Sequence, residues 1–207
     1  FIDYSVLVIR QQSLAPQEMI SAIQNFGDIF EQHNNRFQLR GFPLIHYLSN
    51  QEYHADGTRY IPGSGYHTDH SNDTIPPKAT ALYAIKLPEK GGDTQFVNMH
   101  AAYETLPESI KTRLKGLNAR HVYQSKFSKR KLMSLSRDRD NKFLKSVLHP
   151  LVRTHPESNR KALYINPIRI DAVDGMDDAK AISFLDKLLA HAIQKQHQYC
   201  LLYTSDA

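Results

Sequence analysis

Tyr66-His67-Thr68-Asp69-His70-Ser71-Asn72, followed further on by Gly91-Gly92-Asp93-Thr94, is the stretch on which the reading of this chain turns. On an extended backbone residues i and i+2 project from one face. His67 and Asp69 therefore present an imidazole and a carboxylate to a common point, while Thr68 points away. Two His and one carboxylate on one face of an octahedron leave three open positions, the arrangement of Fe(II) oxygenases. A closed tetrahedral zinc site leaves one at most. The segment offers two side chains of the types such a site needs.

A bare His-x-Asp triplet carries little weight in a chain with 11 His, and a second one stands at His54-Ala55-Asp56. Context separates them. His54 lies in the polar run Asn50–Gly57, which ends in an Asp-Gly turn signal and reads as a solvated loop. His67 is followed by Pro76-Pro77, the apolar run Ala79–Ile85, Leu87-Pro88 and then Gly91–Met99. That succession reads as strand, turn, strand, with glycines where the backbone must turn sharply.

Further segments stand in a fixed order around this pair: Leu82-Tyr83-Ala84, Asn98-Met99, Ala102-Tyr103 with Leu106-Pro107, His149–Pro156, and Lys161–Asn166. Upstream lie Val6–Arg10 and Phe26-Gly27. As an ordered series over about residues 4–199, these motifs resemble the taurine dioxygenase (TauD/TfdA) family of Fe(II)- and 2-oxoglutarate-dependent oxygenases. The resemblance implies a mostly β fold with flanking α-helices, a double-stranded β-helix (jelly roll, cupin-like). It implies Fe(II), 2-oxoglutarate as co-substrate and O2, with release of succinate and CO2 as a small anionic substrate is hydroxylated. Taurine or another sulfonate, an alkyl sulfate and a carboxylate all fit that description, and taurine catabolism is the process implied.

Carried across by position, His67 and Asp69 match iron ligands, and Thr94 matches the hydroxyl that binds the 2-oxoglutarate carboxylate. Phe127 matches an aromatic wall of the substrate pocket. Arg169 falls near another pocket aromatic; a guanidinium there offers a bidentate partner to a carboxylate or sulfonate, or it is a surface Arg after a strand. Related halogenases lack the carboxylate, so Asp69 favours hydroxylation. Gly63 departs from the Asn that some taurine-specific members place four residues before the first ligand, which weakens a strict taurine assignment.

The family pattern also calls for a distal His and a 2-oxoglutarate-binding Arg after a segment that carries Trp. This chain has 0 Trp, and both residues are expected beyond residue 207. Cys200–Ala207 does not resemble the family and reads as a non-native tail. The expected organisation is one dioxygenase domain over 1–199, incomplete at both ends, with closing strands missing from its C-terminal side. His149 and His155 are expected to hydrogen-bond in or near the core, and His191 and His197 to lie on the solvated side of a helix.

With 207 residues and 41% apolar content the chain is long enough for one domain with a proper core. No run reaches the length of a membrane span. A single Cys excludes a disulfide framework, and a reducing cytoplasm fits it. The net charge of +5 suits an anionic small molecule; the basic stretch 126–145 alternates in sign and has no nucleic-acid module, so a solvated surface is expected there and no nucleic-acid or membrane partner. Self-association is left open. The competing reading is a non-catalytic jelly-roll binding protein, or a fragment inert for want of the third iron ligand.

Coarse periodicity predicts strands at 6–9, 79–86, 94–98, 149–153 and 162–165, and extended backbone at 37–47 and 59–70. Helices are predicted from Pro16 to Gly27, at 107–115, and at 177–197, where Ile182, Phe184, Leu185, Leu188, Leu189, Ala192 and Ile193 form a stripe.

Overall fold

The computed structural model describes residues 2–30, 35–54, 56–130, 132 and 146–202. Its first helix, α1 (Pro16–Gln24), has Pro at its start, where a missing N–H costs nothing. Glu18 Oε2 accepts from the Ala15 N–H at 2.7 Å, closing the first turn. Two short strands follow, β1 (Gln38–Leu39) and β2 (Phe42–His46), paired antiparallel.

β3 (Thr94–Val97) leads into α2 (Met99–Glu104) and α3 (Glu108–Leu114). Helix α2 was not anticipated, although its signal is local: Asn98 caps it, Oδ1 accepting from His100 N at 3.1 Å and Ala101 N at 3.0 Å. Then come β4 (Asn118–His121), β5 (Val147–Pro150), β6 (Val152–Thr154), β7 (Lys161–Leu163) and β8 (Ile170–Val173). Helix α4 (Asp178–Ala192) is capped by Asp177, whose carboxylate accepts from Lys180 N at 2.9 Å. β9 (Gln198–Leu201) closes the series.

Among the described residues the strands form four separate antiparallel ladders: β1–β2, β3–β9, β6–β7 and the three-stranded β5–β4–β8. Central strand β4 sets Ala119 opposite His149 on one side and Val173 on the other. Leu151 joins two ladders through its backbone, donating to Leu117 O and accepting from Tyr164 N. The architecture is thus mixed strands and helices. β9 sets Leu201 opposite Thr94 and Cys200 opposite Gln95, so two residues of the stretch read as a tail take part in the β3 ladder.

The core lies between this sheet and the helices. Ala181, Phe184, Leu188 and Ala192 of α4 pack with Leu106, Leu114, Ala119, Leu151, Leu163, Ile170 and Val173. The predicted stripe is therefore core, although Ile182, on its edge, is 39% exposed. Each fully buried Leu, Ile or Phe contributes about 1.5–3 kcal/mol.

Three expected extended segments form no ladder. Among the described residues, 6–9 and 79–86 pair with nothing as strands, and 59–70 carries only the Tyr53–Arg59 bridge. Their apolar side chains stand in the open, Leu82 at 62% and Ile85 at 76% exposure. An apolar, β-branched run states a preference, but a strand exists only where a partner satisfies its N–H and C=O groups. The basic stretch expected at 126–145 lies for the most part outside the described residues; within it, Lys126 pairs with Asp178 at 2.6 Å. Among the described residues no helix is long and apolar enough to cross a membrane.

Candidate metal centre

His67 and Asp69 do converge. Nε2 of His67 lies 3.4 Å from Asp69 Oδ1. On the other side of the ring, Nδ1 sits 2.9 Å from the Gly65 carbonyl oxygen, which can only accept, so Nδ1 carries the proton. With Nδ1 committed to Gly65, Nε2 is the ring atom turned to Asp69: protonated, it donates to the carboxylate; deprotonated, it and Oδ1 face a common point that a cation can fill. Two ligands each about 2.1 Å from one octahedral ion lie about 3.0 Å apart, so a small rotation brings both onto a divalent cation.

Asp69 is held in its anionic form. The His67 imidazole beside it brings its carboxyl down to about 2, a 2.9 Å hydrogen bond from Thr80 Oγ1 to Oδ2 adds to this, and burial opposes it. Thr80 belongs to the expected strand 79–86; it serves the site through its side chain. The competing triplet has other business: Asp56 Oδ1 accepts from Thr58 N at 2.9 Å and Thr58 Oγ1 at 2.6 Å, closing its own turn. Among the described residues no third His, Cys, Asp or Glu joins His67 and Asp69 in a metal-sized cluster.

Thr94 opens β3, and the neighbouring Gln95 ties that strand to the metal segment by accepting from the Tyr66 hydroxyl at 2.8 Å. Successive residues point to opposite faces, so Thr94 and Gln95 diverge. The turn before them demands glycine: Gly91 and Gly92 have φ of +70° and +77°, and a Cβ on Gly92 would come 2.7 Å from Pro88 Cγ.

Arg169 is half-buried. Its guanidinium donates to the Tyr123 carbonyl and stacks over the Tyr123 ring at 4.7 Å. Burial lowers its pKa, opposed by Tyr123 and by the carboxylates of Asp69 and Asp73. It is therefore a desolvated cation within the electrostatic reach of the metal segment, with no carboxylate in ion-pair contact among the described residues. Phe127 stands elsewhere. It packs on the core and lines a cavity of about 90 Å³ with Ile165, Asn166, Pro167 and Leu185, and neither His67 nor Asp69 borders that cavity.

The four other histidines weighed from the sequence, His149, His155, His191 and His197, make structural contacts. His149 is 5% exposed and donates from Nε2 to the Asp73 carbonyl at 2.9 Å. His155 lies 6.0 Å from the His100 ring and accepts at Nδ1 from Glu157 N. His197 was expected on a solvated face and is instead 4% exposed, with Nε2 2.9 Å from Thr105 Oγ1. His191 also turns inward, Nε2 lying 2.9 Å from Ala102 O. Both cover the end of α2, which the sequence reading lacked.

Comparison with known proteins decides the lineage. The model of the taurine catabolism dioxygenase TauD, TfdA family matches residues 1–204. The chain belongs to the TauD/TfdA family. Within it, the chain is 32% identical to an alpha-ketoglutarate-dependent 2,4-dichlorophenoxyacetate dioxygenase of Cupriavidus pinatubonensis, over 95% of this chain and 72% of that one. It is 32% identical to an alpha-ketoglutarate-dependent sulfate ester dioxygenase of Pseudomonas putida, over 54% of this chain and 42% of the relative. A solved taurine dioxygenase from Burkholderia xenovorans superposes with a TM-score of 0.74 at 25% identity, covering 96% of this chain. The chain spans 61% of the length of that TauD/TfdA structure.

Proposed function

We propose that this chain carries the iron-binding segment of a 2-oxoglutarate-dependent dioxygenase that hydroxylates a small anionic substrate. The carrying observation is the convergence of His67 Nε2 and Asp69 Oδ1, 3.4 Å apart, within a TauD/TfdA chain. His67 and Asp69 hold Fe(II), and the completing ligand comes from outside the described residues. Iron with bound 2-oxoglutarate supplies the O2 chemistry, yielding succinate, CO2 and a hydroxylated C–H bond. The fold that houses it is the jelly roll of the family, in a reducing, cytoplasmic setting.

The protein's own part is holding and orienting. Gly65 fixes the His67 ring through Nδ1, and Thr80 fixes the Asp69 carboxylate through Oδ2. Thr94 binds a carboxylate of 2-oxoglutarate. Arg169, desolvated and without an acidic partner in contact among the described residues, receives the anionic head of the substrate, a sulfonate, sulfate ester or carboxylate. Phe127, which lines a cavity that His67 and Asp69 do not border, is left out of that pocket. Relatives named for phenoxyacetate and for sulfate ester share the anionic head and differ in the body behind it.

Incubation with Fe(II), 2-oxoglutarate and O2 against a panel of taurine, an alkyl sulfate and 2,4-dichlorophenoxyacetate tests this. Substrate-dependent succinate that is lost in His67→Ala is expected. Succinate no higher than in that variant for every member would contradict the reading.

A further inference from the structure

The segment 61–72 bears both candidate metal ligands yet belongs to no strand ladder, so something else must fix the direction of its side chains. Asn166, Ser71 and His121 are each 0% exposed. Asn166 Nδ2 donates to the carbonyl of Thr68 at 2.7 Å and to Ser71 Oγ at 2.8 Å. Its Oδ1 accepts from Ile168 N at 3.2 Å, so both donors and one of the two acceptor positions of the amide are used. Ser71 Oγ is in turn 2.9 Å from His121 Nδ1 on β4. His149, the β5 neighbour of that strand, holds the Asp73 carbonyl two residues further on.

The position of these bonds matters more than their number. Thr68 lies between the two ligands, and its carbonyl belongs to the peptide that joins it to Asp69. Rotation of that peptide swings the Asp69 carboxylate relative to the His67 ring. A sheet would prevent this with ladder hydrogen bonds on both sides; here Asn166, 98 residues away in sequence, takes that task. Its position just beyond β7 makes it part of the rigid body that carries the core residues Leu163, Ile165 and Ile170.

We infer that Asn166, with Ser71 and His121 behind it, is a positioning residue that sets the geometry of the His67–Asp69 pair by clamping the Thr68 carbonyl. This rests on the proposal that the pair holds a metal. The role predicts a specific asymmetry. Asn166→Asp keeps the shape but replaces both donated hydrogens with a carboxylate oxygen, which repels the Thr68 carbonyl.

The test is an anaerobic Co(II) titration of the full chain, read by the visible absorption of the bound ion, with far-UV circular dichroism to confirm folding. The wild type is expected to bind with bands absent from His67→Ala. Asn166→Asp is expected to raise Kd about 10–100-fold and to change the band shape. Leu114→Ala, which damages the core at a buried site in α3, is expected to keep the wild-type Kd and spectrum while losing stability. Folded Asn166→Asp with wild-type Kd and bands would overturn the inference, as would an equal loss in Leu114→Ala. If Asn166→Asp does not fold, Ser71→Ala takes its place; it removes the hydroxyl shared by Asn166 and His121, and an unchanged Kd there would overturn the inference as well. Binding by the wild type that Asn166→Asp leaves untouched removes only the positioning role. No binding by the wild type removes the metal reading, and the positioning role falls with it.

Discussion

Thr80 Oγ1 donates to Asp69 Oδ2 at 2.9 Å, so the carboxylate is fixed from one side by a hydroxyl and left with Oδ1 turned toward His67. In the proposed metal site this division of labour would leave Oδ1 alone for the ion. Thr80→Val removes the hydroxyl at nearly constant volume. A net hydrogen bond is worth about 1 kcal/mol, so Mn(II) affinity by calorimetric titration should fall about fivefold. Unchanged affinity would mean that Asp69 needs no outside support.

Among the described residues Arg169 has no carboxylate in ion-pair contact, and the proposed function gives its charge to the substrate's anionic head. A charge-assisted hydrogen bond is worth about 1.5–3 kcal/mol, so Arg169→Ala should raise KM for the anionic substrate about 10–100-fold while metal binding persists. Arg169→Lys keeps the charge but not the fork and should fall between. An unchanged KM in Arg169→Ala would place the guanidinium outside the pocket.

His121 gives a pH dependence whose sign can be worked out. Burial pushes it down to about 3, helped by His149, Arg153 and Arg169, and it is 0% exposed among those groups and the Tyr164 ring. Between about 3 and the ordinary 6.5 the unfolded chain binds the proton and the folded one does not, so stability rises with pH across that window and is lost as pH falls through it. From pH 7 to pH 5 the loss from this residue is about 2 kcal/mol. Urea unfolding at the two pH values should show it, and His121→Asn should flatten the difference. Equal slopes in variant and wild type would assign the proton uptake to other groups.

Asn98 caps α2 with two backbone N–H groups on one side-chain oxygen. Asn98→Ala should cost about 1 kcal/mol by urea unfolding. Because α2 carries Ala102 into the core, a loss near zero would show that packing alone fixes the helix.

The approach of His67 to Asp69 was legible because i, i+2 geometry is local, and α1 and α4 were legible because Pro16 and Asp177 mark their starts. Helix α2 had its signal in Asn98 and was missed because the preceding strand was read one residue too far. The clamp on Thr68 was not legible at all: Asn166 and His121 reach Ser71 across 95 and 50 residues, and no local periodicity reports such a pairing. Residues 79–86 failed for the opposite reason. Their composition asks for a strand, but Leu82 and Ile85 meet no partner among the described residues, and strand formation is a property of pairs. Sequence position left Arg169 open between a pocket and a surface strand end, and its stacking on Tyr123 needed the fold.

The most direct measurement is anaerobic equilibrium dialysis of Fe(II) against the wild type, His67→Ala and Asp69→Ala. About one Fe(II) held per chain at saturation by the wild type, and lost in both variants, is the expected result. Iron bound equally by all three, or not at all by folded wild type, would contradict the assignment of His67 and Asp69 as the metal pair.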